Sequence, residues 1–97
     1  MKITEIRIFR LKTPQGQTRA FAEVTFDGEL AIRDFKVIET HRGLFVSMPA
    51  RRSPDGQYHD LVIPVTGELR EQIQASVLRA YEDEIARPDP GKTLNNI

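Results

Sequence analysis

The chain has 97 residues, 39% hydrophobic and 29% charged, which fits one globular domain and excludes a disordered polymer or a helical membrane protein. It has no cysteine, so disulfides and thiolate chemistry are unavailable. Net charge is zero, yet residues 1–52 carry 10 Lys/Arg against 6 Asp/Glu (+4) while residues 53–97 carry 4 against 8 (−4). Such a split points to a polyanion-binding patch or complementary self-association, unless it is only uneven scatter. No apolar run nears the ~18 residues that cross a bilayer, and Met-Lys-Ile-Thr does not open a signal peptide; a cytoplasmic protein is expected.

Residues 2–12 (KITEIRIFRLK) read as a half-buried strand, though Ile6 and Ile8 share one parity and Ile3, Phe9 and Leu11 the other. A bulge near Ile8–Phe9, or partial burial of both faces, would reconcile them. Thr13–Gln17 supplies a turn. Residues 18–27 give the cleanest strand, with Ala20, Ala22, Val24 and Phe26 on one face. Asp27-Gly28 predicts a type I′ hairpin into a strand over 29–39, whose parity changes at Arg33-Asp34 and implies another bulge.

After a turn at Thr40–Gly43, Leu44–Met48 is a strand apolar on both faces. A loop at 49–58 leads to a short strand over 59–65, which must lie at an edge or stop at Pro64. From Gly67 the period changes: Leu69, Ile73, Val77, Tyr81 and Ile85 recur every four residues along an amphipathic helix. Thr66 is its N-cap, Glu68 and Glu71 suit its N-terminal dipole, and Pro88 stops it. The expected fold is α+β, an antiparallel meander of four to five strands with one C-terminal amphipathic helix. A single domain spans 1–87, and 88–97 is a disordered tail. One helix covers one sheet face, so the apolar surplus in 30–48 predicts a homodimer through sheet-edge or face contacts.

Candidate chemistry is sparse. His59 precedes Asp60, but neighbours on a strand point to opposite faces, so this pair, like His41, reads as solvated surface. Two scattered histidines offer no metal-ligand spacing. Ser47 and Ser53 lack a nucleophile context. Glu82-Asp83-Glu84 is consecutive on a helix end, whereas paired acid–base carboxyls face each other across a cleft. The six glycines are isolated, with no phosphate loop. The chain is read as non-enzymatic, without cofactor, metal or small-molecule substrate.

Basic residues remain. Arg51 and Arg52 follow Pro49 and precede the turn Ser53-Pro54-Asp55-Gly56, so their loop is stiffened and two guanidiniums could fork onto phosphate oxygens at low ordering cost. On residues alone they are either that or ordinary loop solvation. Arg70 and Arg79, nine residues apart, are read as sharing a helix face and extending the array, against the plainer reading of a polar surface beside Glu68 and Glu71. A dimer would double all four. The array suits phosphate contact; no base-reading motif is present.

The stretch GLFVSMPARRSPDGQYHDL (43–61) resembles the long motif of the stage V sporulation protein G (SpoVG) family of septation proteins. Arg19-Ala20, Val37-Ile38 and the helical Ile73-Gln74, Val77-Leu78 and Tyr81 are supporting matches over Thr4 to about Tyr81. The resemblance implies a small sheet-plus-helix domain dimerising through its strands. It also implies a regulator of septation, sporulation or virulence-type gene expression that binds DNA and RNA without a named motif. Arg51 stands where the family often has Lys, which keeps the charge. His59 stands where it often has Arg, which makes that charge pH-dependent. The alternative is a protein–protein interaction module of cell-division control that does not bind nucleic acid, a reading that zero net charge favours.

Overall fold

A computed structural model describes residues 1–87 as a four-stranded antiparallel sheet, a separate two-stranded hairpin and one helix, an α+β fold. The tail expected over 88–97 lies outside the described residues. β1 (Ile3–Gln15), β2 (Thr18–Phe26), β3 (Leu30–Thr40) and β4 (Gly43–Ser47) pair in chain order, the predicted meander. β5 (Ala50–Arg52) and β6 (Tyr58–Asp60) pair only with each other, and α1 (Gly67–Ala86) follows.

Asp27 (φ +54°) and Gly28 (φ +65°) both adopt the left-handed backbone that a type I′ turn requires, closed by Glu29 N–H on the Phe26 carbonyl at 3.0 Å. β1 corrects its expected boundary: it continues through Thr13-Pro14-Gln15, and the turn is only Gly16-Gln17. Pro14 is tolerated because β1 is an edge strand and its pairing with β2 lapses between Arg10 and Gln15.

The parity break in β1 is also elsewhere than expected. The register is continuous from Glu5 to Arg10, so nothing bulges at Ile8–Phe9; the extra residue is Thr4. That insertion brings Ile3 to the side of Ile6 and Ile8, all packed on the core, and leaves Phe9 half exposed on the other side. In β3 the bulge falls where the parity predicted. Arg33 and Asp34 together oppose Glu23, and Asp34 takes φ +72°, a left-handed backbone that Asp tolerates better than most residues.

The segment after β4 departs from expectation. The predicted loop at 49–58 contains the β5–β6 hairpin, and the predicted strand over 59–65 is paired only to Asp60. Leu61 and Val62 N–H both donate to the Pro49 carbonyl, and the chain then runs to the helix outside either sheet. Pro64, with no N–H to offer a ladder, is buried, whereas Leu61, Ile63 and Val65 project into solvent.

The core lies between the sheet and α1. The alternate residues Ala20, Ala22, Val24 and Phe26 meet Phe35 and Val37 from β3, Val46 from β4, and Ile73, Val77 and Tyr81 from the helix. The helix starts where predicted: Thr66 has extended backbone and its hydroxyl accepts Leu69 N–H at 3.1 Å. It ends at Arg87, whose extended backbone suits a residue preceding proline.

Gln74 ties α1 to the outer sheet edge. Its Oε1 accepts Val46 N–H at 2.9 Å and its Nε2 donates to the Val46 carbonyl at 2.7 Å. Val46 sits on edge strand β4 opposite Val37, and these two groups point away from β3. One side-chain amide thus takes both backbone groups that an added strand would use there. Gln74→Ala removes two bonds and leaves a part-buried donor and acceptor unpaired, so urea unfolding should show a loss of about 1–3 kcal/mol with an unchanged m-value. Wild-type stability in that variant would mean the clamp contributes nothing.

Candidate nucleic-acid interface

The β5–β6 hairpin is held by its turn, with no core of its own. Ser53 N–H donates to the Gln57 carbonyl (2.8 Å) and Gly56 N–H to the Ser53 carbonyl (2.9 Å), with Gly56 at φ +87°. Asp55 accepts the Ser53 hydroxyl proton, and its Oδ1 also accepts Gln57 N–H at 3.0 Å. His59 Nε2 lies 3.2 Å from Ser53 Oγ. Ser, His and Asp are together, but the carboxylate touches the serine and not the imidazole, so no base is oriented to activate the hydroxyl. Asp60 makes no hydrogen bond to His59 among the described residues.

The Ser53 hydroxyl above all, helped by the Gln57 amide, holds the Asp55 carboxyl below the usual carboxylate range. A lowered folded-state pKa means this stabilisation is present above the ordinary carboxylate pKa and is lost as pH falls through the lowered value.

Register sets where the arginines stand. Arg51 is opposite His59, and Arg52 is opposite Tyr58. Adjacent residues of a strand alternate, so Arg51 and Arg52 occupy opposite faces of the ribbon. Arg52 places its guanidinium carbon 5.9 Å from the centre of the Tyr58 ring, within cation–π range. All four of these side chains are exposed.

Arg70 and Arg79 do not share a helix face. Nine residues at roughly 100° each make two and a half turns, which sets them half a turn apart. Arg79 points away from the buried stripe of Ile73, Val77 and Tyr81, whereas Arg70 lies along that stripe but is exposed at the first turn. Among the described residues, none of Arg51, Arg52, Arg70 and Arg79 is in an ion pair; the paired arginines are Arg7, Arg19, Arg33 and Arg87.

A second feature lies on the sheet face away from the helix. Glu23 is 8% exposed and accepts Arg33 Nε at 2.7 Å, in a depression of about 270 Å³ walled by Phe9 and Phe21. The Asp34 bulge is what swings Arg33 over Glu23. Among the described residues, no group of three His, Asp or Glu side chains could hold a metal ion. No described helix is long and apolar enough to cross a membrane. Tyr58 escaped the sequence reading, although its spacing from Arg52 about the Asp55-Gly56 turn could have signalled it.

A meander sheet, a single covering helix and an outlying two-stranded hairpin define the class: a small α+β protein. The chain belongs to the SpoVG family, whose model matches residues 1–83. It is 42% identical over 86 residues to the "Putative septation protein SpoVG" of Heliobacterium modesticaldum, covering 89% of this chain and 96% of that one. The protein of the same name from Symbiobacterium thermophilum is 49% identical over 82 residues, 84% of this chain and 58% of that one. The Staphylococcus epidermidis counterpart is 38% identical over 98 residues, 99% of this chain and 94% of that one. The shared name denotes septation and specifies no reaction.

The Asp55 carboxyl should titrate below the usual range by NMR, and Ser53→Ala should return it upward. An unmoved titration in that variant would show that the serine hydroxyl does not stabilise the Asp55 carboxylate.

Proposed function

We propose that this protein is a regulatory protein that binds DNA or RNA mainly through phosphate contacts from the β5–β6 hairpin, and so affects septation- or sporulation-type gene expression. The observation that carries the reading is the pairing state of Arg51 and Arg52. Both are exposed on a turn-stiffened ribbon, and neither forms an ion pair with Asp55 or Asp60 among the described residues. Unpaired guanidiniums on a rigid support lose little entropy on meeting phosphate. Standing on opposite faces, they suit a backbone that wraps the ribbon better than one phosphate held by both. Arg79 and Arg70 are secondary contacts at most, since a single helix face cannot present both. In this reading the protein acts in the cytoplasm, without catalysis.

We also propose a homodimer. Of the two surfaces expected for it, the β4 edge is blocked at Val46 by Gln74. The sheet face that the helix leaves open carries Phe9 and Phe45, 51% and 43% exposed, with half-buried Phe21 and Ile38. That face supports face-to-face association of two copies. Equilibrium sedimentation should return a dimer mass, and Phe9→Lys with Phe45→Lys should return a monomer; a dimer that survives both changes is built elsewhere.

The second reading, a protein–protein module, has one observation in its favour: Leu61, Ile63 and Val65 are 64%, 63% and 92% exposed on an unpaired segment. Salt-dependent binding separates the two readings. Arg51→Ala with Arg52→Ala should weaken DNA and RNA binding and reduce the slope of log K against log salt by about 1 to 2. Equal binding by the double variant and wild type across salt concentrations removes the hairpin as the site. No binding even at about 50 mM salt removes the nucleic-acid reading and leaves the module.

A further inference from the structure

Tyr58 is 66% exposed at a position where nothing structural requires an aromatic. It lies outside the core cluster, and its strand is three residues long and paired only with β5. A tyrosine so placed exposes a large apolar ring whose burial would be favourable on binding. The Arg52 guanidinium, 5.9 Å from the ring centre, braces it from across the ribbon. At the tip beyond it, Gly56 contributes no side chain; the Arg52 Nη2 lies 3.6 Å from where a Cβ would be, so the guanidinium is spread over the turn.

An exposed ring beside an unpaired cation, on a stiff support, is the chemistry of a single-stranded nucleic-acid platform. A base stacks on the aromatic while the adjoining phosphates meet the guanidiniums. In a duplex the base faces are already stacked on one another and cannot reach the ring. Asp60 follows two residues along on the same face, opposite Ala50, and repels phosphate at the foot of the ribbon. Asp55, exposed in the turn, repels phosphate at the tip in the same way, so the strand is directed across the ribbon between the two carboxylates, over Tyr58 and Arg52. On the other face Arg51, opposite His59, remains for the neighbouring phosphate.

We infer that Tyr58 is a base-stacking residue, and that the hairpin takes unpaired nucleic acid, with a base on the Tyr58 ring and phosphates on Arg52 and Arg51. This rests on the nucleic-acid reading above and adds the class of ligand, single strands over duplexes.

The full chain reports on this directly. It has two tyrosines and no tryptophan, and Tyr81 is 9% exposed in the core while Tyr58 is open to solvent. An unstructured oligothymidylate should quench tyrosine fluorescence and bind more tightly than a duplex of equal length at the same salt. Tyr58→Phe should abolish the quench but keep the affinity, because the ring remains. Tyr58→Ala should lower single-strand affinity by about 10-fold or more and leave duplex affinity unchanged. Unchanged single-strand affinity in Tyr58→Ala, with binding still lost in Arg51→Ala/Arg52→Ala, overturns the stacking role and leaves the phosphate reading standing. Failure of the wild-type chain to bind either polymer overturns both.

Discussion

Val46 holds the outer edge of the sheet with its N–H and carbonyl turned away from β3, and the Gln74 amide satisfies both from the middle of the helix. Among the described residues, one helix covers four strands. Apolar packing of Ile73 and Val77 would tolerate some sliding along the sheet; a two-point hydrogen bond to one residue of one strand would not. The clamp therefore fixes the helix register and closes the edge at the point where a foreign strand would add. With that edge closed and α1 committed to one face, the opposite sheet face and the hairpin that follows β4 are two of the surfaces left to act.

These two surfaces differ in character. The open sheet face carries aromatic rings and a nearly buried carboxylate matched by Arg33. It suits a second protein surface. The hairpin carries cations with no internal partner on a ribbon held by the Ser53–Asp55–Gln57 bonds. It suits a polyanion. The hairpin itself sums to zero, Arg51 and Arg52 against Asp55 and Asp60, so any phosphate contact would depend on where the guanidiniums stand and not on a net positive field.

Strand alternation and turn chemistry made much of the fold legible in the sequence. Ala20 to Phe26, the Asp27-Gly28 turn, the Arg33-Asp34 bulge and the Thr66 cap all state their local structure in residues a few positions apart. The failures were of non-local origin. Thr13-Pro14 reads as a turn unless β1 is known to be an edge, and the Thr4 bulge is visible only against β2. Ala50-Arg51-Arg52 has no apolar alternation, so its strand character comes wholly from backbone pairing with Tyr58–Asp60. For the site, the motif located the arginines, but only the register showed that they occupy opposite faces. Arg70 and Arg79 were separable by helical arithmetic alone. Gln74, a polar residue on a helix, betrays nothing of its bond to a strand edge 28 positions away.

The central claim is that nucleic acid meets this protein on the β5–β6 hairpin. Backbone amide chemical shifts recorded while a short DNA or RNA strand is titrated onto the full chain test it residue by residue. The account predicts perturbations concentrated over residues 50–60, with the amides of α1 and of the open sheet face largely unmoved. Saturable binding that perturbs α1 or the open sheet face, and leaves 50–60 silent, would contradict it.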